Sequence, residues 1–338
     1  MPKLKIGILG IGRVSASHIR AIKDNSRLME LVAVADPSEP KTAEAVRATG
    51  AWGFARLEDM LSHSKLDAVA ICTPNGLHYE QARAVLMAGV NVIVEKPLTL
   101  DYKQGEELIK LARRKKRRVF LIHQNRFNPT IQCVRRALDE GAFGNIYLMQ
   151  ANVFWHRDKS YYAASPWHGS KLVDGGAFIT QASHYSDLMH WFANDELKRV
   201  YAVGNALEHE IETEDTGAAT IEWRGGVIGS MGMSVLAYDS DYEGSLTILG
   251  QNGLARVGGV ALNKIQDWKF SRPVKDFCDT SYKVDSVYGR GHTPYYKSVA
   301  AALLEGKDFL ISDADALGSL KLILSIAESI ETGEVVRF

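Results

Sequence analysis

The chain has 338 residues, 46% hydrophobic and 24% charged, the proportions of an ordinary globular protein with about two domains, each able to bury its own core. Lys and Arg number 40 and Asp and Glu 40, so the formal net charge is zero and no global field draws the chain to nucleic acid or an anionic membrane. The partner this leaves is a small molecule.

From residue 4 to about 119, short apolar runs alternate with amphipathic stretches, the pattern of βαβ units building a parallel, doubly wound sheet. Strands are predicted at 4–9, 31–35, 68–72, 90–94 and 118–122, with helices at about 14–25, 40–49, 78–88 and 101–116. The basic run Arg113 to Arg118 ends a predicted helix, where cations suit the macrodipole, and reads as a solvated helix end rather than a nucleic-acid patch. After Asn125 the rhythm changes. Helical stretches at about 129–140 and 175–192 precede strand signals at 214–223 and 227–235 around Gly225-Gly226, and at 245–250 and 254–258 around Asn252-Gly253. Consecutive hairpins predict a mainly antiparallel sheet, and helical patterns at 294–304 and 313–332 close the chain. Residues Ala219, Ile221 and Trp223 alternate with Ala218, Thr220 and Glu222, as in a sheet with one buried face and one that packs on a partner.

Cys72, Cys133 and Cys278 are odd in number and widely spaced, which argues against a disulfide framework and a zinc site and for thiols in a reducing compartment. The opening MPKLKIGILGIG is too short and glycine-interrupted for a signal peptide, and no apolar run reaches about 18 residues. A cytoplasmic location without membrane contact is expected.

Gly7, Gly10 and Gly12 follow the first strand and open the first helix, where glycine permits a tight turn and close approach of backbone to a pyrophosphate at a helix N-terminus. Asp36 ends the second strand, where a carboxylate accepts hydrogen bonds from ribose hydroxyls and repels a 2′-phosphate, favouring NAD over NADP. Ser15 replaces the third glycine of the usual fingerprint, and an Asp that merely caps the turn before Pro37 is the competing reading.

Oxidising an alcohol with NAD needs a base for the hydroxyl proton and a cation for the developing alkoxide. Lys96 follows the strand ending at Val94, at the carboxyl edge where open α/β sheets hold ligands, and a lysine beside a positive nicotinamide should have a lowered pKa. A surface lysine before a loop proline competes with this. Thr180, His184 and Asp187 fall at i, i+4 and i+7 on one helix face, opposite an apolar stripe of Phe178, Ala182, Tyr185, Met189 and Phe192, so the polar face is expected to look into a site. His184 titrates near neutrality and could take the proton directly or share it with Lys96. The segment 153–170, VFWHRDKSYYAASPWHGS, offers aromatic faces to a sugar or base and Arg157 or Lys159 to a carboxylate or diphosphate; a loop buried at an interface is the alternative.

GILGIGRVSASH at the start, CTPNGLH at 72–78, VEKPLT at 94–99 and DGGAFITQASHYSD at 174–187 occur in order over nearly the whole chain, which thereby resembles the Gfo/Idh/MocA oxidoreductase family. The resemblance implies an α/β protein: a Rossmann domain over 1–123 and a substrate-binding and oligomerisation domain over 124–338 with a large, mainly antiparallel open sheet, whose last helices can pack back on the first domain. It implies NAD held by Gly10, Gly12, Arg13, Val14, Asp36, Thr73, Pro74, Asn75, His78, Glu95, Lys96 and Asn125, and no metal. It assigns catalysis to Lys96 and His184, with Pro97 directing Lys96, often through a cis bond.

HQNRFNP at 123–129, the 153–170 segment and YEGSLTILGQNGLARVGGVALNKI resemble the family's UDP-N-acetylglucosamine and UDP-N-acetylglucosaminuronate 3-dehydrogenases, which make a 3-keto sugar for a later aminotransferase. Substrate contacts are then expected from Lys96, Arg126, Asn128, Arg157, Tyr161, Tyr162, Trp167, His168, Thr180, Gln181 and His184, in a homodimer or homotetramer. Thr180 stands where polyol dehydrogenases of the family carry an aspartate, which puts an inositol-type site in doubt. A polyol dehydrogenase, a 3-ketosugar reductase and an NAD-bound sensor remain as alternatives, the last disfavoured by the presence of both Lys96 and His184.

Overall fold

The computed structural model describes residues 2–338 other than 276, 278, 285 and 286. Cys72 and Cys133 are buried free thiols, and Cys278 lies outside the described residues. In chain order the elements are β1 (Leu4–Leu9), α1 (Ser15–Asp24), β2 (Met29–Ala35), α2 (Glu39–Thr49), β3 (Trp52–Phe54), α3 (Leu57–His63), β4 (Ala68–Ile71), α4 (His78–Met87), β5 (Asn91–Val94), α5 (Tyr102–Lys115), β6 (Val119–Leu121), α6 (Pro129–Asp139), β7 (Ile146–Phe154), α7 (Lys159–Ala163), α8 (Ser183–Ala193), β8 (Leu197–Asn205), β9 (Thr216–Trp223), β10 (Ile228–Ser234), β11 (Glu243–Gly250), β12 (Gly253–Gly258), β13 (Lys264–Phe270), α9 (His292–Leu304), α10 (Asp313–Thr332) and β14 (Val336–Arg337).

The chain divides into two compact units, Met1–Ile122 with His292–Leu317, and His123–Gly291 with Gly318–Phe338. The first holds a parallel sheet in the order β3-β2-β1-β4-β5-β6. Its central strands are mostly apolar, with Lys5 of β1 and Asn91 of β5 as the polar exceptions near their starts, because helices cover both faces, and every residue of β4 is buried. Strand order reverses between β1 and β4, which opens a crevice at their carboxyl ends, just where Gly10 and Cys72 lie. Residues of α9 complete this unit: Tyr295, Tyr296, Val299 and Ala300 are fully buried, and the Tyr295 hydroxyl donates to the Leu121 carbonyl at 3.1 Å.

The second unit holds a sheet in the order β13-β12-β11-β7-β10-β9-β8-β14. Its pairings are antiparallel except for β7 with β10, so the predicted character is observed. Alternation sorts each strand: Met231 and Met233 of β10 are buried, as are Ala219, Ile221 and Trp223 of β9, while Tyr201, Val203 and Ile228 are exposed. The Cβ of any residue replacing Gly229 would come within 2.7 Å of Met189 of α8 and of Trp223, so the helix packs closely over β10. The expected single helix over 175–192 is instead a π-helix, Phe178–Ala182, continued by α8. The wider turn rotates the residues C-terminal to it, and Asp187 points into the core rather than sharing an open face with Thr180 and His184. Among the described residues no helix is long and apolar enough to cross a membrane.

Candidate active site

In the first unit, the loop between β1 and α1 has the shape a dinucleotide diphosphate requires. Gly10 has φ +90°, and a Cβ there would lie 2.8 Å from the Cys72 backbone, so glycine is dictated by the fold itself. A Cβ on Gly12 would meet nothing within 4 Å: that glycine keeps open a space the protein does not fill. The first turn of α1 has no acidic residue and no side-chain cap, which leaves its N-terminal dipole for an anion. Arg13 is exposed and Val14 half-buried beside it. Asp36 is buried; one oxygen accepts from the Ile11 N–H at 2.7 Å and the other from Ser38 N–H at 2.8 Å, which fixes the carboxylate at the rim with a second lone pair on each oxygen. These residues fit NAD.

The loops after β4 and β5 face the same crevice. Thr73 and Pro74 are half-buried and Asn75 buried. His78, expected at the cofactor, is fully buried with Nδ1 2.7 Å from the Pro97 carbonyl and Nε2 3.0 Å from the Thr73 carbonyl, so it ties the two loops together instead. Burial lowers its pKa, the nearby carbonyls and Glu95 opposing. Lys96 is half-buried and the Lys96–Pro97 bond is cis. Behind it lies a group the sequence did not reveal. Glu95 Oε1 is 2.9 Å from His18 Nε2 and 3.9 Å from His292 Nε2, and His18 Nδ1 is 2.7 Å from the Tyr296 hydroxyl. These side chains are buried, and the 2.9 Å His18–Glu95 contact has the length of a hydrogen-bonded ion pair. Burial opposes a charge on His18, but Cys72 and Glu95 outweigh it and raise its pKa to about 10.

In the second unit, His184 is buried on α8, with Nε2 3.1 Å from the Gln124 amide nitrogen and its ring 6.0 Å from His123. With the amide assigned this way, Gln124 donates and Nε2 accepts, so the ring proton sits on Nδ1. Arg126 and Asn128, expected to meet substrate, are fully buried and turned elsewhere. Arg126 pairs with Asp187 and lies 4.7 Å over the Trp191 ring; the Asn128 amide donates to the Ala261 carbonyl at 3.3 Å. Asn125 is buried in the turn preceding α6.

Arg157, Tyr161, Trp167, His168 and Gln181 are brought together, as the sequence predicts for a binding loop. Asp158 caps α7 by accepting from the Tyr161 N–H at 2.9 Å, which turns Tyr161 inward. Tyr161 stacks on His168 with ring centroids 4.3 Å apart, and Trp167 meets His168 edge-on. Arg157 lies 5.3 Å from the Trp155 ring and 5.5 Å from that of Tyr161, donating to Gln181 at 3.1 Å and to Asp241 at 2.9 Å. Asp241 joins this group without any local sequence signal, since its partner Arg157 is distant in the chain; Trp155 and Gln124 lie in the segments 153–170 and 123–129 but are not among the residues expected at the site. Tyr162 packs on His209 instead. Thr180 Oγ1 donates to the Gly176 carbonyl at 2.9 Å.

Residues 4–123 match the oxidoreductase family with an NAD-binding Rossmann fold, and residues 131–256 the GFO/IDH/MocA C-terminal domain. The chain belongs to the Gfo/Idh/MocA family. It is thus an oxidoreductase with NAD as cofactor, as its cradle and Asp36 lead one to expect. The family member WlbA dehydrogenase from Bordetella pertussis, solved in complex with NADH and UDP-GlcNAcA, is 40% identical with a TM-score of 0.94 over 99% of this chain and 98% of that one. An inositol 2-dehydrogenase of Rhizobium meliloti is 26% identical over 96% of this chain and 97% of its own length. An uncharacterized oxidoreductase of Synechocystis is 30% identical over 56% of this chain, which spans only about half, 51%, of that relative.

Proposed function

We propose that this family member oxidises the C3 hydroxyl of a UDP-linked N-acetyl sugar, UDP-N-acetylglucosamine or its uronate, to a 3-keto sugar with NAD. The observation that carries the reading is the 40% identity over 99% of the chain to WlbA dehydrogenase, whose complex holds NADH and UDP-GlcNAcA. The second unit supports it chemically. The Tyr161–His168 stack and Trp167 offer aromatic faces to a ring, and Arg157 offers a guanidinium to a carboxylate or diphosphate.

Bound NAD supplies the hydride acceptor. Gly10, Gly12 and the start of α1 receive its diphosphate, with Arg13, Val14 and the loop from Thr73 to Asn75 at the crevice, and Asp36 receives the ribose hydroxyls. Lys96 and His184 are the acid/base groups: a lysine amine stabilises and takes up the hydroxyl proton, and His184, once its Nε2 exchanges the Gln124 amide for the substrate hydroxyl, is the second acceptor. The exposed face carrying Tyr201, Val203 and Ile228 is the surface through which a homodimer or homotetramer forms. A 3-keto product suits a following aminotransferase.

The relationship to inositol 2-dehydrogenase favours a second reading, oxidation of a free polyol. Against it, Thr180 supplies a hydroxyl already donated within its own helix, not a carboxylate. Mixing enzyme at substrate-level concentration with NAD and UDP-N-acetylglucosamine, its uronate or myo-inositol, with the near-UV absorbance of reduced nicotinamide as readout, decides between them. A signal with a UDP-sugar, lost in Lys96→Ala and His184→Ala, is expected; a signal with inositol alone overturns the sugar-nucleotide reading.

A further inference from the structure

The residue before Lys96, one of those expected at the cofactor, is a carboxylate whose side chain is turned into the protein toward His18. Glu95 is 7% exposed, and isolated at that depth it would take up a proton. It is not isolated. Oε1 accepts from His18 with His292 beside it, Oε2 accepts from the Lys96 backbone N–H at 3.2 Å, and the Tyr296 hydroxyl holds the far side of His18. Three distant segments make the group: α1, the loop after β5, and the first two turns of α9. The His18 ring meets those of His292 and Tyr296 edge-on, with centroids 5.4 Å and 5.7 Å away, so the imidazole cannot turn without displacing both.

We propose that His18, His292 and Tyr296 are positioning residues: they hold Glu95 charged and fixed beside Lys96, and through it set the direction of the lysine and how tightly it keeps its proton. The proposal rests on the reading of Lys96 as an acid/base group. In this arrangement His18 carries the proton that balances Glu95, and His292 stays neutral, since a second imidazolium would leave net charge buried. The other titratable groups that face the cluster are Cys72 after β4, His78 of α4, Arg20 of α1, Tyr295 of α9 and Lys96 itself. Burial works against ionised Glu95, but His18 and His292 hold its carboxyl well below the usual range. Burial lowers His292 in spite of Glu95.

The test reads Lys96 directly. Reductive methylation with isotope-labelled formaldehyde makes each lysine visible by NMR, and the Lys96 signal is the one missing from Lys96→Arg. Glu95→Gln is expected to lower the Lys96 titration midpoint by about half to one pH unit, because it removes a nearby negative charge, and His18→Gln to lower it by a similar amount, because the buried carboxyl without its counter-ion takes up a proton. Tyr296→Phe, which deletes one oxygen and keeps the packing, is expected to move it the same way as His18→Gln but less, and serves if His18→Gln does not fold. NADH affinity by fluorescence should change by less than about threefold in Tyr296→Phe. An unchanged midpoint in folded Glu95→Gln and Tyr296→Phe, or a rise in either, or a fall in Tyr296→Phe as large as that in Glu95→Gln as loosened packing would give, overturns the proposal. If the wild type oxidises neither UDP-sugars nor polyols, the functional reading fails while the lysine titration still decides the positioning.

Discussion

Arg126 donates two hydrogen bonds to Asp187, at 2.9 Å and 2.7 Å, with both side chains out of solvent. The pair joins the turn before α6 to α8, the helix that carries His184, and His123 stands 3.4 Å from the same carboxylate. Removing one member leaves a buried charge uncompensated, at a cost of about 3–5 kcal/mol. Arg126→Leu or Asp187→Leu should therefore lower the thermal midpoint by several degrees or abolish soluble expression, whereas the double replacement should recover part of the loss. A single variant as stable as the wild type would mean that water reaches the pair.

Gly10 and Gly12 separate folding from cofactor binding. Gly10→Ala is strained by its φ of +90° and meets the Cys72 backbone, so it should destabilise the protein with or without NAD. Gly12→Ala has room and should melt like the wild type, yet its methyl stands where the diphosphate belongs. We expect NADH binding, measured by fluorescence, to weaken by about tenfold or more in Gly12→Ala, a loss of about 1.4 kcal/mol.

Asp36 should govern the choice of nicotinamide. Asp36→Ser removes a charge that repels a 2′-phosphate while keeping a group that can accept from the Ile11 N–H. The ratio of kcat/KM for NADP to that for NAD should rise by about tenfold to a hundredfold, mostly through weaker use of NAD. An unchanged ratio would assign the carboxylate to the loop alone.

Asp215 makes an acid-sensitive anchor in the second unit. Burial opposes its charge, but the backbone N–H groups of Glu208, Leu207 and His209 prevail and hold its pKa below 3.8. A lowered carboxyl contributes stability above its unfolded value and loses it as pH falls through the folded one. Asp215→Asn should thus be less stable by about 1–3 kcal/mol at neutral pH, with the difference from wild type closing below about pH 3.8 in urea titrations.

The Rossmann order is legible in the chain because β1, β2, β4, β5 and β6 are apolar runs spaced by helical periods, and because Gly10 and Asp36 stand at their ends. The edge strand β3 is not, since it has three residues and its Trp52 is 75% exposed. β8 is not either, because a bulge between Leu197 and Arg199 puts two exposed residues in succession and breaks its alternation. His184 and the 153–170 loop can be singled out from composition; what each touches cannot. The i, i+4, i+7 spacing assumes one regular helix, and the π-turn at Phe178–Ala182 sends Asp187 to Arg126, 61 residues away. His18, Glu95 and Tyr296 likewise meet across 77 and 278 residues, distances that no local period records.

The His18–Glu95 pair should leave a mark on stability at high pH. In the fold His18 is raised from 6.5 to about 10, burial being outweighed by Cys72 and Glu95. A histidine raised on folding contributes stability that is fully present below its unfolded pKa and is lost as pH rises through the folded one, so the window runs from about 6.5 to about 10. Lysines and tyrosines titrate in the upper part of that window too, so the absolute curve is not diagnostic and the comparison with Glu95→Gln is. That variant removes the carboxylate that pairs with His18, leaving Cys72 alone against burial, and the His18 pKa falls from about 10 toward its unfolded value. The wild type should exceed Glu95→Gln in urea midpoint at neutral pH, and the margin should shrink steadily, by roughly 2 kcal/mol, toward the alkaline end. Parallel curves across the window would mean that His18 is neutral in the fold and that the 2.9 Å contact is a hydrogen bond between uncharged partners.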